Sequence, residues 1–137
     1  MKNPEQMTDQ DILSFQQEME AKYPLMLSGK YGGIDVHPGW FSILELLFNS
    51  IQSHIDFEQK RNPYLEQVVV LQIKEKFGAL RFYYTGGNEY ISGLVAMAEA
   101  VSSTTCEVCG SYGRIRSNGG WLRATCDKHY EGDKDND

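Results

Sequence analysis

Two short strings near the C-terminus, CEVCG at 106–110 and CDKH at 126–129, constrain this chain more than any other feature. They hold all three cysteines and one of the three histidines of a 137-residue sequence. Cys106 and Cys109 form a C-x-x-C pair followed by Gly110. Cys126 and His129 form a C-x-x-H pair after an interval of 16 residues. Zn2+ takes four soft or borderline donors in a tetrahedron, and two short pairs on two turns supply them with little chain strain. Gly110 lets the chain turn tightly, so that backbone amides can point at the thiolates.

Three other readings of the cysteines are weaker. Buried free thiols do not explain why every cysteine takes ligand spacing. A redox C-x-x-C leaves the second pair unexplained. A catalytic zinc keeps three protein ligands and one open position, so four good ligands indicate a closed, structural site.

The rest of the composition fits a reduced, soluble setting. An odd cysteine count beside a histidine disfavours a disulfide framework. Residues 1–6 carry Lys2 and no apolar segment of the signal-peptide kind. No run approaches the roughly 18 apolar residues of a membrane span. These features predict a cytoplasmic protein without membrane association. An apolar fraction of 41%, with 6 Phe, 8 Tyr and 2 Trp, is enough for one core. The formal net charge of −6 argues against general nucleic-acid binding but leaves room for a local basic patch.

Periodicity places the elements. Thr8 with Asp11 predicts a capped helix start, and Ile12, Phe15 and Met19 form a helical stripe up to about Lys22. Residues 28–39 are rich in glycine and read as an irregular loop. Trp40, Ile43, Leu44, Leu47, Ile51 and Ile55 recur over four turns, with Pro38 as a start signal. This is the strongest helical pattern in the chain, and Phe41 and Phe48 widen its apolar face. Residues 67–76 and 80–85 predict a β-hairpin turning at Phe77-Gly78. Asn88 then caps a helix running to about Ser102. The expected fold class is α+β: helices packed on a β-hairpin, with a C-terminal treble-clef or zinc-ribbon-like module. The expected divisions are 1–103 for the main domain, 104–130 for the zinc module, and 131–137 for a flexible acidic tail.

Within the module, Asn118-Gly119 predicts a two-residue hairpin turn. That turn sets Ile115 opposite Leu122, Arg116 opposite Trp121, and Arg114 opposite Arg123. One face is then apolar. The other carries Trp121 among Arg114, Arg116 and Arg123, the first candidate binding surface. The favoured plain alternative has Trp121 packed on the main domain, with the arginines snorkelling over it. Lys74, Lys76, Arg81 and Tyr83 share one face of the first hairpin and form the second candidate surface. Its plain alternative is a solvated face neutralised by Glu66, Glu75 or Glu89. Leu71, Ile73, Phe82 and Tyr84 share the opposite face. His37 and His54 are isolated, and His54 with Asp56 and Glu58 does not make a ligand set. No nucleophile elbow, phosphate loop or dinucleotide fingerprint is present.

The strings KYGGIDVHPGWFSIL, QIKEKFGALRFYYTGG, CEVCG and GGWLRATCDKH together resemble a family of small uncharacterised proteins of bacteriophages, prophages and bacterial genomes. The resemblance covers roughly residues 22–130, and its zinc-type ligands fall on Cys106, Cys109, Cys126 and His129. Ala124 departs from the threonine more usual in that family. The resemblance implies zinc and a phage or prophage setting, but no reaction. The functional expectation is a non-enzymatic zinc-stabilised binding protein that modulates a host protein or defence system. The second expectation is a nucleic-acid-binding accessory protein using the two basic faces. A zinc-dependent hydrolase is third.

Overall fold

A computed structural model describes residues 2–132. From residue 133 on, the tail expected over 131–137 lies outside the described residues. Three helices, α1 (Asp9–Lys22), α2 (Phe41–Glu58) and α3 (Glu89–Ser102), combine with five strands. These are β1 (Ile34–Asp35), β2 (Val69–Lys76), β3 (Ala79–Thr85), β4 (Arg114–Asn118) and β5 (Trp121–Thr125). The architecture is mixed α+β. No described helix is long and apolar enough to cross a membrane.

Both helix starts follow from local chemistry. The Thr8 hydroxyl accepts from Asp11 N, and the Asp11 carboxylate accepts from Thr8 N, forming a reciprocal cap. The Asn88 side chain accepts from Ile91 N at the start of α3. Helix α2 begins after a short 3-10 turn, Pro38–Trp40. It buries Phe41, Leu44, Leu47, Phe48, Ile51 and Ile55, an apolar stripe along one face. Phe15 of α1 stacks on Phe41 at 4.1 Å between ring centroids. Phe48 meets Phe82 of β3 at 6.1 Å. The core therefore lies between the helices and one face of the β1-β2-β3 sheet.

Two features of this sheet depart from the sequence pattern. Residues 34–35, inside the expected loop, pair in parallel with β2, setting Ile34 beside Ile73 and Asp35 beside Lys74. Ile34 N donates to Gln16 Oε1 at 2.9 Å, tying this edge to α1. The β2–β3 ladder also shifts between Val70 and Gln72. This bulge turns Leu71 outward, 53% exposed, and leaves Val70 buried in its place. An extra residue reverses the alternation on one side of a bulge, which period-two reasoning does not anticipate.

The β4–β5 hairpin also corrects its expected register. Its turn is Gly119-Gly120, both with positive φ, rather than Asn118-Gly119. Ile115 lies opposite Ala124, Arg116 opposite Arg123, and Asn118 opposite Trp121. Asn118 is kept out of the turn by its side chain, which is buried and hydrogen-bonded to the Thr125 hydroxyl and to Arg116 O. The shift is two residues, so the two faces keep the composition expected of them.

Candidate metal centre and adjoining cleft

The chain returns to the core at the first pair of cysteines. Trp40 is fully buried, and its indole N–H donates to Thr105 O at 2.9 Å. Gly39 N donates to Glu107 O at 2.8 Å. A side chain at Gly39 would overlap the backbone of Cys106 and Glu107, so only glycine admits this approach. Glu107 N in turn donates to Ala124 O of β5. These contacts set the 106–110 turn against both the core and the second hairpin. Gly110 N closes that turn onto Cys106 O at 2.8 Å, with φ of 82° at the glycine.

The structure brings all four expected ligands together. One donor atom from each of Cys106, Cys109, Cys126 and His129 lies within 4.8 Å of the others. Cys109 Sγ and Cys126 Sγ are 3.7 Å apart. His129 Nδ1 is 3.7 Å from Cys106 Sγ and 3.2 Å from Cys126 Sγ. A tetrahedron with metal–sulfur bonds of about 2.3 Å has edges of roughly 3.8 Å, so the set fits a four-coordinate ion. Burial pushes the Cys109 thiol up, but hydrogen bonds with the Ser111 side chain and backbone outweigh it and bring the thiol down to about 6. Burial pushes the Cys126 thiol up. Unlike thiols at one site of this kind are reconciled when a cation holds both as thiolates.

Sequence reasoning missed one member of this site. Glu5, in a short 3-10 turn at Pro4–Gln6, places Oε2 3.1 Å from His129 Nε2. A carboxylate on the outer imidazole nitrogen fixes the tautomer that presents Nδ1 inward. Lys128 Nζ lies 3.5 Å from the same carboxylate oxygen. No local signal marks Glu5, because it is 124 positions from His129 and has no partner in spacing or pattern.

The two candidate surfaces are placed differently from each other. Arg116 and Arg123 stand opposite each other on one face of the hairpin, but both are half-buried. The Arg116 guanidinium lies over the Tyr130 ring at 4.1 Å and pairs with Asp127 at 3.0 Å. Arg123 Nε is 4.0 Å from Glu107 Oε1. Only Arg114 of the three is exposed. Trp121 is not packed on the main domain: it is 77% exposed. The module meets the core instead through buried Ala124 and half-buried Ile115. On the first hairpin, Lys74 lies opposite Arg81 and shares its face with Lys76 and Tyr83, as the turn at Phe77-Gly78 requires. Among the described residues no ion pair joins these cations to Glu66, Glu75 or Glu89. The acidic neighbour in register is Asp35.

Trp121 lies on one rim of a cleft of about 560 Å³ between the β2–β3 turn and the β4–β5 hairpin. Phe77 lines it from the first hairpin, and Leu122, Glu107 and Arg123 line it from the module. The turns meet beneath it, where a Cβ on Gly78 would come within 2.9 Å of the Ile115 side chain. Burial pushes the Glu107 carboxyl up, opposed by the charges of His37 and Arg123. Comparison with family models, curated proteins and solved structures returns no match for this chain.

Proposed function

We propose that the chain is a non-enzymatic, zinc-stabilised protein-binding module, with a treble-clef or zinc-ribbon-like unit presenting the cleft beside Trp121 to a protein partner. The observation that carries this reading is the closed ligand set. Three cysteines and one histidine lie close enough to serve as the four ligands of one ion, and Glu5 stands at the outer nitrogen of that histidine. A hydrolytic zinc needs a position left for water. Sulfur-rich four-coordination favours Zn2+ among the common divalent ions. In the setting that the family resemblance implies, the partner is a host protein and the compartment is the bacterial cytoplasm.

Exposure of Trp121, Phe77 and Leu122 around one cleft favours a protein partner, because exposed aromatic residues are enriched at protein interfaces. The nucleic-acid reading asks for three arginines on one open face, and Arg116 and Arg123 face partners of their own. Affinity capture with the metal-loaded chain and its Trp121→Ala variant, with and without nuclease, tests the proposal. It expects a protein recovered by the wild type, resistant to nuclease, and lost with the variant. Recovery of nucleic acid by both forms, abolished by nuclease and by high salt, would overturn it.

A further inference from the structure

Two aromatic rings and one carboxylate at the cleft are poorly explained by folding alone. Phe77 holds φ of 53°, the only non-glycine residue with positive φ among the described residues. That conformation costs a side-chain-bearing residue about 1–2 kcal/mol, and asparagine or glycine suits such a turn better. The Phe77 ring gains no burial in return, since it is 67% exposed. Trp121 lines the same cleft with still greater exposure. Strain retained without packing is a mark of use.

Glu107 has the opposite character. Its side chain is 5% exposed, yet it lines the cleft. Among the described residues its carboxylate accepts one hydrogen bond, from His37 N at a long 3.4 Å. His37 Nδ1 stands 3.9 Å from it and Arg123 Nε 4.0 Å. A buried carboxylate ordinarily accepts several short hydrogen bonds. Glu107 therefore keeps acceptor capacity in a cleft lined by two exposed aromatic rings.

We infer that this cleft is the anchor site for a cationic side chain, an arginine or lysine, of the protein partner. The inference rests on the partner-binding reading of this face and names the chemistry recognised there. The stem of the incoming side chain lies along Trp121 and Phe77, and its head donates to Glu107. Lys76 Nζ already lies 5.7 Å from the centroid of the Phe77 ring, so that ring attracts a cation within the chain itself. Arg123 and Lys76 also line the cleft, but an anion would meet the carboxylates of Glu75 and Glu107 and would gain little from the rings. The formal net charge of −6 draws basic partners toward the molecule.

The test is a titration of the full, metal-loaded chain followed by NMR at the Trp121 indole N–H and the Gly78 amide. The probes are N-acetyl-arginine methylamide, its neutral citrulline counterpart, and N-acetyl-glutamate methylamide. The arginine probe should give a saturable shift, with binding at least about tenfold weaker for citrulline and none for glutamate. Glu107→Gln should remove the arginine response while metal content stays unchanged. Should Glu107→Gln lose its metal, Trp121→Ala read at Gly78 takes its place. No saturable response to arginine, equal response to citrulline, preference for glutamate, or a response unchanged in both variants would each overturn the inference. Partner capture that still depends on Trp121, without cation binding, would remove the anchor and leave the partner surface standing.

Discussion

Along α2, six large side chains are buried, five of them almost completely, whereas in the β4–β5 hairpin Trp121 and Leu122 face solvent. Each buried side chain of the helix contributes about 1.5–3 kcal/mol through removal of apolar surface from water. The hairpin has little of that to draw on. Its buried residues are Ala124, Thr125 and Asn118, small or polar. Besides half-buried Ile115, packed on the core, it has the Gly39–Glu107 backbone contact, the Asn118–Thr125 hydrogen bond and, in the proposed reading, a metal in the Cys/His cluster. Helix α2 also leaves Leu46 and Phe57 exposed, but its six buried side chains hold it without them, and a hairpin closed by a metal would need no such core. In the proposed reading, the exposed side chains of the hairpin are left for a partner.

The contrast can be broken most severely at the metal. Replacing Cys126 with Ser should forfeit most of the roughly 10–16 kcal/mol that metal binding gives such modules. The chain should lose bound metal and the hairpin signals while keeping its helical circular dichroism. Gly39→Ala should come next, costing on the order of 4 kcal/mol, because the new methyl overlaps backbone that cannot move away. Denaturant unfolding measures it, and a neutral result would mean that the 106–110 turn and the core are not in contact. Within the core, Ile51→Ala should cost about 2–5 kcal/mol in the same assay, with metal content unchanged.

Two smaller effects sharpen the contrast. Glu5→Ala should weaken metal affinity by about 10–100-fold, seen in competition with a chromophoric chelator, with little change in helix content. An unchanged affinity would show that the His129 orientation is set elsewhere. Trp121→Ala should move stability by no more than about 0.5 kcal/mol, as for an exposed residue, whatever it does to binding. A larger loss would place Trp121 in the packing after all.

How much of this was legible in the sequence depended on the range of the interaction. The α2 stripe, the Thr8–Asp11 cap, the Asn88 cap and the Phe77-Gly78 turn are set by residues within a few positions of each other, and each lies where its pattern predicts. The Cys106, Cys109, Cys126 and His129 cluster was legible because two short spacings set its members close together. The Leu71 bulge, the parallel β1 edge and the β4–β5 register were not. The bulge and the edge are decided by contacts distant in sequence, and the register by a buried asparagine whose hydrogen bonds outweigh its turn preference. Glu5 lies furthest from any local signal, since only the folded chain brings it to His129. Exposure of Trp121 was misjudged by assuming that a small unit must be anchored through burial.

The most direct measurement is amide hydrogen exchange of the full chain, metal-loaded and after chelation. Protection should fall in residues 104–132 and around Glu5 on removal of the metal, while α2 and the β2–β3 ladder keep theirs. Equal protection in the two states, or loss spread evenly through α2 as well, would contradict the division between a core held by burial and a hairpin held by metal.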